Sequence, residues 1–274
     1  MNFPKFWALG KSGNFEAWRW SDTSQEEAES LAREAAARVE AAIKASNRRL
    51  ERYAYADRPL REPVISTIAD ASGAVVAAVS RNSYGCDVLN AERAMFVDVD
   101  LPEESKGGGL LGSLFGKKPQ SNAAEAAAIA RAAAWAQAHP GWNWRIYRTR
   151  GGLRLLATHA LFEPTEAACG PAFDALGADP LYRKLCETQR SFRARLTPKP
   201  WRVRMSTPPA RWPFQNPAAE RAFDAWTGRY WAACADKATC RLLSDGGGSI
   251  DSSLQPIIEL HDKVTRAASD LPLA

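Results

Sequence analysis

Between two Ala-rich helical stretches the chain switches its hydrophobic period from 3.6 residues to 2, which confines it to folds that pack helices on a sheet. Residues 24–45 place Ala28, Leu31, Ala35, Val39 and Ala42 on one helical stripe. The run Ser21-Asp22-Thr23-Ser24 offers caps before it, and Glu26 and Glu27 suit the positive end of its dipole. Residues 122–138 form a second such helix, stopped by His139-Pro140-Gly141. Between them, residues 64–68, 74–80, 85–89 and 94–100 read as strands joined by hairpin-length turns, an antiparallel meander.

The rest of the chain fits the same class. Strands are expected at 6–9, 15–20, 144–148, 153–158 and 239–243, and helices at 164–176, 180–189, 216–235 and 254–268. The expectation is an α+β protein, a single domain over 1–274, with a mainly antiparallel sheet and Ala-rich helices packed on one face. A strand, helix and hairpin over 94–158 suggest a β-α-β-β core of the ferredoxin/RRM-like type. Residues 103–122, with three consecutive glycines and Lys117-Lys118-Pro119, read as a flexible Gly/Lys-rich insertion. Its Gly116-Lys117 is no phosphate loop, because the earlier glycine and the following Ser or Thr are missing.

Composition excludes several classes. With 46% apolar residues in 274, the chain has material for a large core and is not disordered. No apolar run approaches the ~18 residues of a membrane span, and the N-terminus lacks a signal-peptide pattern, so a soluble cytoplasmic protein is expected. Five cysteines without a C-x-x-C pair read as reduced thiols rather than zinc ligands.

Charge is more informative by position than in total. Residues 141–212 hold thirteen Lys+Arg against five Asp+Glu, a local +8 within a chain whose net charge is +5. Such a basic segment suggests a phosphate-bearing partner. Within it, Arg148, Arg150 and Arg154 flank the Gly151-Gly152 turn and are candidates for phosphate oxygens. Arg190, Arg193, Arg195, Lys199 and Arg202, with Phe192 and Trp201, combine cations with stacking faces, as single-stranded DNA or RNA requires.

The hexapeptide Met95-Phe-Val-Asp-Val-Asp100 adds the chemistry. In a strand Asp98 and Asp100 share a face, about 7 Å apart along the backbone. Two such carboxylates repel unless a hard cation such as Mg²⁺ or Mn²⁺, or basic groups, neutralise them. His261-Asp262, adjacent on a helix, are expected at the surface.

Phe96–Asp100, followed by a helix, a glycine hairpin and the basic stretch Ser191–Lys199, resembles the archaeo-eukaryotic primase (primase–polymerase) superfamily over residues 85–205. The resemblance implies a metal-dependent nucleotidyltransferase acting on nucleoside triphosphates, with Asp98 and Asp100 as catalytic metal ligands. It also implies a phosphate-contacting histidine in a small-x-His step. Ala157-Thr-His159 matches that step, whereas Arg154 occupies the position after the glycine hairpin; the two alignments are alternatives. A third acid is implied among Asp174, Asp179 and Asp262. A non-catalytic nucleic-acid-binding or protein-interaction module is the competing reading.

Overall fold

The structure is a computed structural model that describes residues 1–46, 59–102 and 120–274. Strands β1 (Phe6–Ser12) and β2 (Phe15–Ser21) pair as a hairpin, and helix α1 (Gln25–Ser46) lies across it. Ser24 Oγ accepts from the Glu27 amide and starts the helix. The buried stripe is Ala28, Ala32, Ala35 and Ala36, with Leu31 facing outward, because the helix approaches too closely for leucine. At Gly10 a Cβ would come within 2.0 Å of the Ala32 backbone. Small residues on both sides therefore set the packing distance.

Strands β3 (Val64–Ala69), β4 (Val75–Arg81) and β5 (Asp87–Ala91) form the expected meander. The fourth run does not continue it. β6 (Phe96–Asp100) leaves for a second sheet, and β5 pairs instead with β9 (Phe192–Arg195). Phe96, Val97 and Val99 are all buried, so β6 needs cover on both faces, which a meander with an open face would not provide.

The second sheet comprises β6, β7 (Trp144–Thr149), β8 (Gly152–Ala157) and β10 (Cys240–Ser244), antiparallel in the order β10-β7-β8-β6. Helix α2 (Gln120–Ala138) connects β6 to β7, giving the β-α-β-β order with β8 between them. The class is α+β; the fourth strand joins the edge of β7, and the likeness to a ferredoxin-like core goes no further than this connectivity. One sheet face, with Val97, Val99, Leu153, Leu155 and Ile146, joins the main core with Ala128 and Ala132 of α2 and Phe173 of α3 (Cys169–Leu176). Of the two Ala-rich helices, then, α2 covers this sheet and α1 covers the N-terminal hairpin. The opposite face meets α6 (Gln255–Thr265), whose His261 ring packs on Phe96 and Tyr147.

Helices α4 (Pro180–Gln189) and α5 (Pro217–Cys234) complete the order, and a 3-10 turn spans Pro200–Val203. The five cysteines are free and buried. Of the Gly/Lys-rich stretch, residues 103–119 lie outside the described residues, as do 47–58 of the polar segment after α1. Among the described residues, no helix is long and apolar enough to cross a membrane.

Candidate functional site

The strand period places Val97 and Val99 in the core and turns Asp98 and Asp100 to the other face. β8 runs antiparallel beside them, with Arg154 opposite Asp98 and Gly152 opposite Asp100. A Cβ at Gly152 would sit 2.0 Å from the Val99 carbonyl oxygen, so only glycine allows the strands to approach there. Asp100 consequently has no neighbouring side chain on β8 and opens onto a cavity of about 570 Å³.

Arg154 is the centre of the site. It is 1% exposed, donates from Nε to Asp98 Oδ1 at 3.0 Å, and from Nη1 to the Arg195 carbonyl at 2.9 Å. Burial disfavours its charge, but Asp98 outweighs that and holds the guanidinium above its ordinary value. Nη1 also lies 3.3 Å from His261 Nε2. An arginine can only donate, so Nε2 accepts and the His261 proton sits on Nδ1, donated to Asp262 Oδ1 at 2.9 Å. Asp262 Oδ2 in turn accepts from Arg145 Nη2 at 2.6 Å. Burial pushes the His261 imidazole down to about 4, so it is neutral at pH 7. His261 is thus not at the surface, since Ile257, Ile258, His261 and Thr265 form the buried stripe of α6, while Asp262 beside it is half-buried.

Asp179 supplies a third carboxylate. It caps α4 by accepting from the Leu181 amide, with Pro180 in the first turn, and its own amide donates to the Asp98 carbonyl at 3.1 Å. The cap and the tether together bring this acid into the cavity wall. Asp174, by contrast, is exposed and paired with Arg183, and Asp262 belongs to the His261 network. Burial, then the charges of Asp179 and Asp98, push the Asp100 carboxyl above the usual aspartate range.

Cations line the same cavity. Arg195 comes from β9, Lys199 and Arg202 from the cap and body of the 3-10 turn, and Lys184 from α4. Burial and the neighbouring Arg154 push the Arg195 guanidinium down, and burial with Arg195 and Arg202 does the same to Lys199. Arg195 Nη1 is buried with no hydrogen-bond partner among the described residues. An unsatisfied donor of this kind is costly.

The other candidates lie elsewhere. Arg148 is on the α2 face of β7, paired with Glu125 at 2.7 Å, and donates to the Thr149 and Gly152 carbonyls. Arg150 is exposed at the β7-β8 turn and does not line the cavity. His159 lies past the far end of β8, packed with Trp142 and Phe162 and accepting from the Asn143 amide, where burial pushes its pKa down. Of the two alternatives it is Arg154 that faces Asp98. Arg190 caps α4 and borders a separate cavity with Met1 and Glu163. Phe192 is core, and Arg193 is buried in a two-oxygen ion pair with Glu62 at 2.9 and 3.0 Å. Trp201 is exposed beside the cavity residues Lys199 and Arg202.

The donor set suits a hard divalent ion of the Mg²⁺ kind, which is commonly held by one or two carboxylates with the substrate's phosphates completing its shell. Asp100, together with the Asp98 oxygen that Arg154 leaves unused, fits that role. Among the described residues, no three His, Cys, Asp or Glu side chains group closely enough for an all-protein metal cage. No protein-family model, curated protein or solved structure matches this chain. Its function must be argued from the cavity itself.

Proposed function

We propose that the cavity binds a nucleoside triphosphate together with a divalent cation, and that the protein is a nucleotide-handling enzyme of the primase–polymerase kind. One observation carries this reading. Carboxylates from β6 and α4 and cations from β9, the 3-10 turn and α4 converge on a single cavity of about 570 Å³. That volume falls within the range of small-molecule sites, roughly 300–1,000 Å³. A polyphosphate needs both signs of charge: cations for its oxygens, and carboxylates for the metal that travels with it. When bound, the metal would polarise the phosphoryl group for transfer. Asp98 and Asp100 hold it, Asp179 adds negative charge beside them, and Arg195, Lys199 and Arg202 take the phosphate oxygens.

A second reading, nucleotide binding without transfer, is favoured by one contact. Arg154 already neutralises one oxygen of Asp98. This leaves less negative charge for a second metal than a two-metal site uses.

Calorimetric titration of Mn²⁺, with and without a nucleoside triphosphate, into wild type and Asp98→Asn/Asp100→Asn tests both. Nucleotide-enhanced Mn²⁺ binding that disappears in the double variant supports the site, and incorporation on a primed oligonucleotide separates transfer from binding. Absence of Mn²⁺-dependent nucleotide binding in wild type refutes the proposal.

A further inference from the structure

Next to the cavity residues Lys199 and Arg202 the structure spends rigid backbone on presenting two aromatic rings to water. Trp201 is 50% exposed and Tyr84 42% exposed, and their rings meet edge to face at 5.4 Å. Their frames are fixed independently of each other. Asn82 Oδ1 accepts from the amides of Tyr84 and Cys86, and Gly85 closes that turn with φ of +84°. Trp201 sits in the 3-10 turn that begins at Pro200, where the Arg202 amide donates to the Lys199 carbonyl. The two frames are then tied, since Cys86 Sγ donates to the Pro198 carbonyl and Tyr230 Oη donates to the same oxygen. Exposed rings held this firmly lose little entropy when something flat covers them.

We infer that Trp201, buttressed by Tyr84, is the stacking platform for the base of the nucleotide whose phosphates enter the cavity. This rests on the proposed nucleotide site and adds the base to it. Lys199 links the two halves: its Nζ lies 5.5 Å from the Trp201 ring centre, and the same residue lines the cavity. A cation next to a flat ring, itself lining a cavity together with Arg195 and Arg202, matches a planar base carrying a phosphate chain. The ring geometry favours one base over a strand. Tyr84 and Trp201 are at 86° to each other, so they cannot continue a parallel stack for successive bases. The ligand class is therefore a nucleoside polyphosphate recognised by the protein's own aromatic surface.

The test compares Mn²⁺ complexes of a purine nucleoside triphosphate and of inorganic tripolyphosphate, by calorimetry and tryptophan fluorescence. The nucleotide should bind about tenfold or more tightly than tripolyphosphate and quench fluorescence. Trp201→Ala should reduce nucleotide affinity to that of tripolyphosphate and leave tripolyphosphate unchanged, whereas Trp201→Phe should keep most of the difference. Equal affinity for the two ligands in wild type overturns the platform while leaving the anion site standing. Tighter binding of an oligonucleotide than of the nucleotide, lost in Trp201→Ala, also overturns it, in favour of a strand. If neither polyphosphate binds, the proposed function falls and the platform with it.

Discussion

Removing the proton switch at His261 offers a direct check on the buried network behind the site. The unfolded chain holds this imidazole near the ordinary value of about 6.5, whereas the folded protein holds it near 4. The native state therefore refuses a proton that the unfolded state accepts. Above pH 6.5 both states are neutral there and the group contributes no pH dependence. As pH falls from 6.5 towards 4 the unfolded state gains the proton, and the native state loses roughly 3 kcal/mol of relative stability. By pH 5 about 2 kcal/mol of this should be visible. Other groups respond to pH as well, so the measurement is the difference between wild type and His261→Gln in urea unfolding at pH 7.5, 6 and 5. Glutamine can still accept from Arg154 but does not titrate. Wild type should be more stable than the variant at pH 7.5, and the gap should close by about 2 kcal/mol at pH 5. A gap that stays constant to within about 0.5 kcal/mol across that range would mean that His261 is not the buried neutral acceptor. A nitrogen-15 spectrum showing the Nε2–H tautomer would refute the hydrogen-bond order from Asp98 to Asp262.

Other perturbations separate structural from ligand-binding charges. Arg193→Met strands Glu62 in the core and should cost about 3–5 kcal/mol in denaturant unfolding, with Glu62→Leu restoring much of it; polyphosphate affinity should not change below the melting point. Asp179→Asn keeps the cap of α4, since asparagine caps as well as aspartate, so stability should hold to within about 0.5 kcal/mol while Mn²⁺·nucleotide affinity falls in calorimetry. Gly152→Ala drives a methyl into the Val99 carbonyl and should destabilise by about 3 kcal/mol or more, lowering the thermal midpoint markedly.

The part of the site legible in the sequence is the part governed by strand period. Phe96–Asp100 announces two acids on one face, whereas Asp179 stands in the sequence as one of three equal candidates, and it is the fold that sets it, as the cap of α4, in the cavity wall. What could not be read is which neighbouring strand brings which arginine to the same face. Arg148 and Arg154 look equivalent along the chain, but the β7-β8 register sets Arg154 beside Tyr147 and Asp98, and Arg148 beside Leu153 on the α2 face. The basic stretch 190–202 divides by tertiary pairing instead: Arg193 and Arg195 share a face of β9, yet Arg193 is spent on Glu62, a partner 131 residues away, while Arg195 lines the cavity. His261-Asp262 left a local clue. Ile257 and Ile258 precede His261 at helical spacing, which marks it as inward-facing, but its partners Arg154 and Asp98 are tertiary. The departure of β6 from its meander was hidden for a related reason: turn length between strands says nothing about which sheet the next strand joins.

Arg154 has a consequence for how this protein can change over time. One guanidinium serves as counter-ion to β6, as donor to the backbone of β9 in the other sheet, and as the group that meets α6 through His261. A substitution at this position is therefore answerable to three elements at once, and no single compensating change elsewhere can repair all three. Sequence drift should be slow along this cross-brace and fast beside the cavity, where Trp201 and Tyr84 touch few of the same partners. A cavity built this way can exchange the ligand it prefers at its mouth while the charge arrangement at its floor stays fixed.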